Sequence, residues 1–128
     1  MPVKSFSDLE VWKIAHELVL NVYKKTKAFP EEEKFGLVSQ LRRSAVSICS
    51  NIAEGGTKSR KDFVRFLEIA RASLEETKYH FILARDLGYL LDGEFIELIN
   101  KGDEIGKKLY RMIQSLRELP MDSHSSNS

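Results

Sequence analysis

Phe95, Leu98, Gly102, Ile105, Leu109, Met112 and Leu116 recur at strict three- and four-residue steps, and no other feature constrains the fold of this chain as much. Such spacing lines residues up along one side of an α-helix, whereas a strand would send alternate residues to opposite faces. Ile99, Gly106 and Ile113 broaden the stripe, and Asp92, after the turn GYLLD, is the expected cap. Each glycine is up to roughly 1 kcal/mol less favourable than alanine in a helix, so two on a buried face imply close approach of a neighbouring helix.

Three earlier stretches share this period. The first is expected to begin at Ser7, where S-D-L-E matches a capping box, with a core row of Val11, Ala15, Leu18 and Val22. A second row, Trp12, His16, Val19 and Tyr23, widens the predicted buried face, and Phe29-Pro30 ends it. The second helix is expected to start within Pro30 to Lys34, where a proline and three glutamates suit a first turn. It runs to Glu54 and stops at Gly55-Gly56, a pair able to adopt left-handed geometry. Ser59 then caps a third helix whose seam is Phe63, Leu67, Ala70, Leu74, Thr77, Phe81 and Ala84, closed by Gly88. At about 28 residues that helix is roughly 42 Å long.

No strand-like alternation competes with these patterns. Four long helices on short loops bury their stripes most simply as an all-α, antiparallel up-down-up-down four-helix bundle. The domain spans residues 1–117, leaving 118–128 as a polar, frayed tail. At 128 residues the chain has the size of one domain burying roughly two-thirds of its unfolded surface. The absence of a long apolar run argues against a membrane span, and MPVKSFSDLEVW lacks the apolar core of a signal peptide. A cytoplasmic protein is expected. The single Cys49 fits a reducing compartment and, in an apolar helical setting, reads as an inert buried thiol.

Net charge is only +1, yet it is unevenly spread. Between residues 34 and 65, Lys34, Arg42, Arg43, Lys58, Arg60, Lys61 and Arg65 face only Glu54 and Asp62. A folded molecule can therefore carry one basic face on a nearly neutral body. On the second helix Gln40, Ser44, Ser47, Asn51 and Glu54 form a polar stripe beside the apolar one, as if for a partner. The third helix carries extra flanks, Phe66, Ser73, His80 and Leu87 on one side and Ile69, Ala72, Tyr79 and Leu83 on the other. Neighbouring bundle helices can cover such flanks, but they more commonly mark a subunit interface in a symmetric homo-oligomer.

Catalytic patterns are scarce. A di-metal bundle site needs Glu-x-x-His on two helices, and neither His16 nor His80 has a glutamate three residues before it. His80 follows Glu76 by one helical turn without further ligands at metal spacing. GGTKS fails as a phosphate-binding loop, since Thr57 precedes Lys58 and no strand leads into it. No enzyme, cofactor or metal is implied. The helix start at Ser59, ringed by Lys58, Arg60 and Lys61, nevertheless suits a phosphate, including one of a nucleic-acid backbone. Trp12, Phe35, Phe63, Phe66 and Phe81 fall on or near core rows and read as packing groups rather than base-stacking platforms.

Three motifs then carry a resemblance: D-L-E-V-W at residues 8–12, Q-L-R-R-S-A-V-S-I at 40–48 and S-N-I-A-E-G at 50–55. Over about residues 6–117 the chain resembles the bacterial four-helix-bundle proteins first noticed as reading frames in intervening sequences of 23S rRNA genes. The resemblance implies an antiparallel bundle, a ring-shaped homopentamer, a suspected association with RNA and no catalytic residues. A similar fold, in the accessory protein of diversity-generating retroelements, is also pentameric and basic. Such relatives usually have proline where this chain has Cys49, so the kink they imply in the second helix is in doubt here.

The expectation is thus a non-catalytic oligomer that touches RNA or DNA phosphates through Arg42, Arg43, Lys58, Arg60, Lys61 and Arg65. Successive helix positions point about 100° apart, so Arg42 and Arg43 cannot both face one partner, and one is expected to pair internally with Glu54 or with a neighbouring subunit. The alternative is a protein–protein adaptor or scaffold without nucleic-acid affinity.

Overall fold

The computed structural model describes residue 6 and residues 9–120. Four helices follow in order: α1, Glu10–Thr26; α2, Leu37–Gly55; α3, Arg60–Asp86; and α4, Asp92–Glu118. Neighbours in sequence pack side by side, and α1 also meets α4, closing the ring. Lys108 pairs with Glu10 at one end of α1 while Lys25 pairs with Glu94 at the other, so α1 and α4 run antiparallel. This is the up-down-up-down bundle expected.

The helix ends show where local chemistry overrode the simplest reading. The capping box at Ser7 lies outside the described residues, and α1 begins at Glu10 with Leu9 as its cap position. The acidic run does not open α2. Glu31–Glu33 form a single 3-10 turn, Gly36 (φ −107°, ψ −110°) leaves helical geometry, and α2 starts only at Leu37. Glu33 still acts at that terminus, since its carboxylate accepts from the Leu37 amide at 3.3 Å and from the Tyr89 hydroxyl at 2.8 Å. The second bond staples the α1–α2 connection to the α3–α4 turn and raises the Tyr89 phenol above its ordinary pKa. Ser59 caps α3 as expected, accepting from the Asp62 amide at 3.3 Å. At α4 the cap position is Leu91 rather than Asp92, and the Glu94 carboxylate reaches back to the Leu91 amide at 2.9 Å. That bond leads the causes that lower the Glu94 pKa.

The glycines divide by role. Gly88 is the one residue with positive φ among those described, at 84°, and closes α3 as its position suggested. Gly55 and Gly56 do not adopt left-handed geometry, and Gly56 has φ −63°. Gly55 is instead a contact point, for a Cβ there would stand 2.7 Å from Phe66 Cβ and 2.9 Å from Phe63 Cδ1. Gly55→Ala should therefore force α2 and α3 apart and cost about 1–3 kcal/mol, read as a lower urea midpoint. Gly102 and Gly106 do admit a neighbour closely, as expected, with Leu74 and the Lys78 stem 3.4–3.5 Å from their absent Cβ positions.

Leu18, Leu41, Ile48, Ile52, Leu67, Leu74, Phe81, Leu98, Ile105, Leu109 and Ile113 fill the centre. The widened face of α1 differs from the expected one. Ile14 is buried with Val19, whereas Trp12 is half-buried and His16 and Tyr23 are exposed. His16 instead stacks on Trp12, ring centroids 5.0 Å apart. Phe63, Phe66 and Phe81 are core residues as read, but Phe35 is 89% exposed in the connection before α2. Helix α2 is unbroken through Cys49. That thiol packs against the core, and burial pushes it up to about 12, so at neutral pH it stays protonated and unreactive.

Candidate functional site

The polar stripe of α2 meets α3 of its own chain. Antiparallel packing sets Ser44 against His80 and Thr77 and Ser47 against Ser73, and these side chains hydrogen-bond across the interface, while Asn51 bonds back to Ser47 within α2. Ser47 Oγ and Ser73 Oγ lie 2.8 Å apart, while Asn51 Nδ2 donates to the Ser47 carbonyl at 2.8 Å. Thr77 Oγ1 donates at 2.8 Å to the Ser73 carbonyl and lies 2.9 Å from Ser44 Oγ, which is 3.3 Å from His80 Nδ1. Every described buried side-chain polar atom has a partner, so the seam avoids the penalty for unpaired groups in a dry interior.

His80 links this seam to the surface. Burial lowers its pKa, Arg43 adds to the effect and Glu76 opposes it. Neutral imidazole with its proton on Nε2 can accept from Ser44 at Nδ1 and direct its N–H toward Glu76, whose Oε2 is 3.9 Å away. Serine, histidine and glutamate in sequence invite comparison with a hydrolytic triad. The comparison fails on access and geometry, since Ser44 is 0% exposed and the His80–Glu76 distance exceeds a hydrogen bond. The joint role of Glu76, Ser73 and Thr77 is missing from the sequence reading; Thr77, a hydroxyl on an otherwise apolar core row, was the available signal.

Arg42 and Arg43 are both engaged within the chain. Arg42 crosses to α1, where Nε donates to Thr26 Oγ1 at 2.9 Å and its guanidinium lies 4.5 Å from the centre of the Tyr23 ring. Arg43 pairs with Glu76 of α3 at 3.1 Å, rather than with Glu54. Arg43 precedes Gly55 by twelve residues, which places the pair about 18 Å along the helix from the other candidate cations.

Lys58, Arg60, Lys61 and Arg65 gather where α2 turns into α3. Arg60 donates to the Pro120 carbonyl at 3.2 Å. Arg65 lies 3.8 Å from Asp62 and 4.6 Å from the centre of the Phe66 ring. Lys58 and Lys61 are exposed and have no ion-pair partner among the described residues. The two lysines stand on either side of the cap residue Ser59 at the start of a 27-residue helix, whose free amides and dipole add positive potential. Elsewhere on α3, the flank of Phe66, Ser73 and His80 is covered by α2 while its last member, Leu87, is exposed; on the other flank Ile69, Ala72 and Tyr79 are exposed and Leu83 packs against the core.

Among the described residues no three His, Cys, Asp or Glu side chains are placed to hold a metal ion, and no helix is long and apolar enough to cross a membrane. Fold and surface together define an antiparallel helical-bundle protein with an internal polar seam and a small cationic turn. The family described as 23S rRNA-intervening sequence protein matches residues 7–111, and the chain belongs to that family. A similar solved structure is a protein of unknown function from Bacteroides thetaiotaomicron, assigned to the S23 ribosomal protein family. It shares 30% identity at a TM-score of 0.76, over 81% of this chain and 95% of that one. No curated protein matches the chain.

Proposed function

We propose that this is a non-catalytic bundle protein that assembles into a homo-oligomer and engages an RNA or other nucleic-acid backbone through the α2–α3 turn. The observation that carries the reading is the placement of Lys58 and Lys61, exposed beside the amino terminus of α3 and unpaired among the described residues. The family description, with its link to rRNA intervening sequences, supports RNA as the polymer. Arg60 and Arg65 contribute charge from the same turn, while Arg42 and Arg43 serve chiefly to hold α2 against α1 and α3. Contacts of this kind read charge rather than base edges, so little sequence preference is expected.

Affinity for structured RNA should fall steeply with salt. Lys58→Glu with Lys61→Glu should weaken binding about tenfold or more at low salt and reduce the slope of log K against log salt by about 2 units, one per lost phosphate contact. Unchanged affinity and slope, measured by filter binding, would show that the turn is not the contact.

The exposed flank Ile69, Ala72 and Tyr79 favours a second reading, an oligomeric adaptor for proteins. Self-association belongs to both readings, and the resemblance points to five subunits. Static light scattering gives the number directly. The adaptor reading requires an oligomer without salt-dependent affinity for nucleic acid.

A further inference from the structure

A groove of about 810 Å³ runs between α3 and α4, away from the basic turn. Its middle is open because Gly106 has no side chain, leaving Leu74 as the floor. Its walls carry two kinds of charge. Arg71 is held by Glu68 at 3.0 Å, and Lys78 is shared between Glu75 at 2.9 Å and Asp103 at 3.2 Å. Lys107 and Arg111 also line the groove and have no ion-pair partner among the described residues. They are four residues apart on α4 and so share one face. Between them in sequence stands Tyr110, 51% exposed, with the Arg71 guanidinium 5.7 Å from its ring centre.

The geometry points to this groove as a site for one nucleotide unit of a single-stranded nucleic acid, with the base on Tyr110 and the phosphates at Lys107 and Arg111. A half-exposed aromatic ring beside paired cations is what single strands require, because every base offers a π-face and each linkage offers a charge. The carboxylates discriminate further. Glu75 and Asp103, both paired with Lys78, repel the charges of an acidic peptide and of a strand alike, but they can accept from the amino groups of a base, which an acidic peptide lacks. This inference rests on the nucleic-acid reading for the polymer class but uses different residues, so the two can fail separately.

The test is fluorescence anisotropy with the full chain, a labelled single-stranded RNA of mixed sequence and a labelled RNA duplex. Tyr110→Ala should weaken single-strand binding about tenfold with the salt slope unchanged, and Tyr110→Phe should restore it, since the ring and not the hydroxyl stacks. Lys107→Gln with Arg111→Gln should lower the single-strand salt slope by about 1–2 units. Duplex binding should be unaffected by Tyr110→Ala. All these side chains are partly or fully exposed, and circular dichroism should show unchanged helicity in each variant. If the groove variants bind single strands like the parent while the Lys58 and Lys61 reversals weaken binding, the groove assignment is overturned and the turn stands. If the reversals have no effect and Tyr110→Ala does, the turn fails and the groove stands. Displacement by polyglutamate as effective as by unlabelled RNA would also overturn the proposal, marking the groove as a site for an acidic protein segment.

Discussion

Phe81→Ala is expected to lose about 3–5 kcal/mol of folding stability, the range for truncating a fully buried aromatic ring. Phe81 is 0% exposed and belongs to the shared core that α3 offers to the bundle. Helices so firmly joined along their length cannot collapse into the void without disturbing neighbouring contacts, so much of the cavity should persist. Against a total stability of order 5–15 kcal/mol for a domain, this leaves a protein near its unfolding threshold. Urea denaturation followed by circular dichroism measures it. A loss below about 1 kcal/mol would mean that the core around α3 is looser than its burial implies. The variant also provides a control, because any loss of RNA binding that accompanies it reflects unfolding rather than contact chemistry.

Acidification should also destabilise the fold, acting through His80. The folded pKa of His80 lies below its ordinary value of 6.5, so the unfolded chain takes up a proton more readily than the folded one. Stability from the neutral ring is therefore complete above about pH 6.5 and is lost progressively as the pH falls below it. Burial of the ring is the leading cause, and of the groups that face it Glu76 near Nε2 opposes the shift, Arg43 beyond Glu76 adds to it, and Ser44 meets Nδ1. Protonation would turn Nδ1 into a donor toward Ser44, whose hydroxyl would then have to give up donating to the ring. His80→Gln removes the titration while keeping an amide oxygen able to accept from Ser44. The parent protein should lose stability between pH 7.5 and 5.5 and His80→Gln should lose markedly less over that interval, with equal slopes excluding His80 as the sensor. Carboxylates such as Glu94, with lowered pKa values, contribute only at more acid pH.

Much of this architecture is legible from spacing alone. The seams of α3 and α4, the Ser59 cap and the Gly88 stop depend on local periodicity and on single-residue backbone preferences, which the sequence carries directly. The start of α2 was not legible in the same way. Pro30 and three glutamates suit any helical first turn, and only the departure at Gly36 shows that a short 3-10 turn intervenes. For α1, periodicity identifies the apolar side but cannot say which flank a neighbour covers: Ile14 lies inside the core, Trp12 packs half-buried against it, and His16 and Tyr23 stay outside. The polar stripe of α2 is the most instructive case. Ser44, Ser47 and Asn51 have the spacing of a binding face, and they do bind, but Ser44 and Ser47 find Thr77, His80 and Ser73 of the same chain and Asn51 finds Ser47 beside it. Nothing local distinguishes a neighbouring helix from a foreign molecule. Likewise, Arg42 and Arg43 became structural ties because α1 and α3 present Thr26, Tyr23 and Glu76 within their reach. The glycines of α4 signal a close approach, but that Arg71 and Lys78 of α3 then share a groove with Lys107, Tyr110 and Arg111 depends on which helix comes close, which no single helix encodes.

An even number of alternating helices has a practical consequence for anyone handling this molecule. Phe6 lies 3.8 Å from the absent Cβ position of Gly56, and Arg60 holds the Pro120 carbonyl, so both extremities of the described fold arrive beside Lys58 and Lys61. An affinity handle, fluorophore or fusion appended to the chain would be tethered, through the residues beyond Phe6 or Pro120, to the end of the bundle that carries those lysines. A polyhistidine or acidic peptide there would alter the local potential and shield the turn, so titrations are best performed after such additions have been cleaved away.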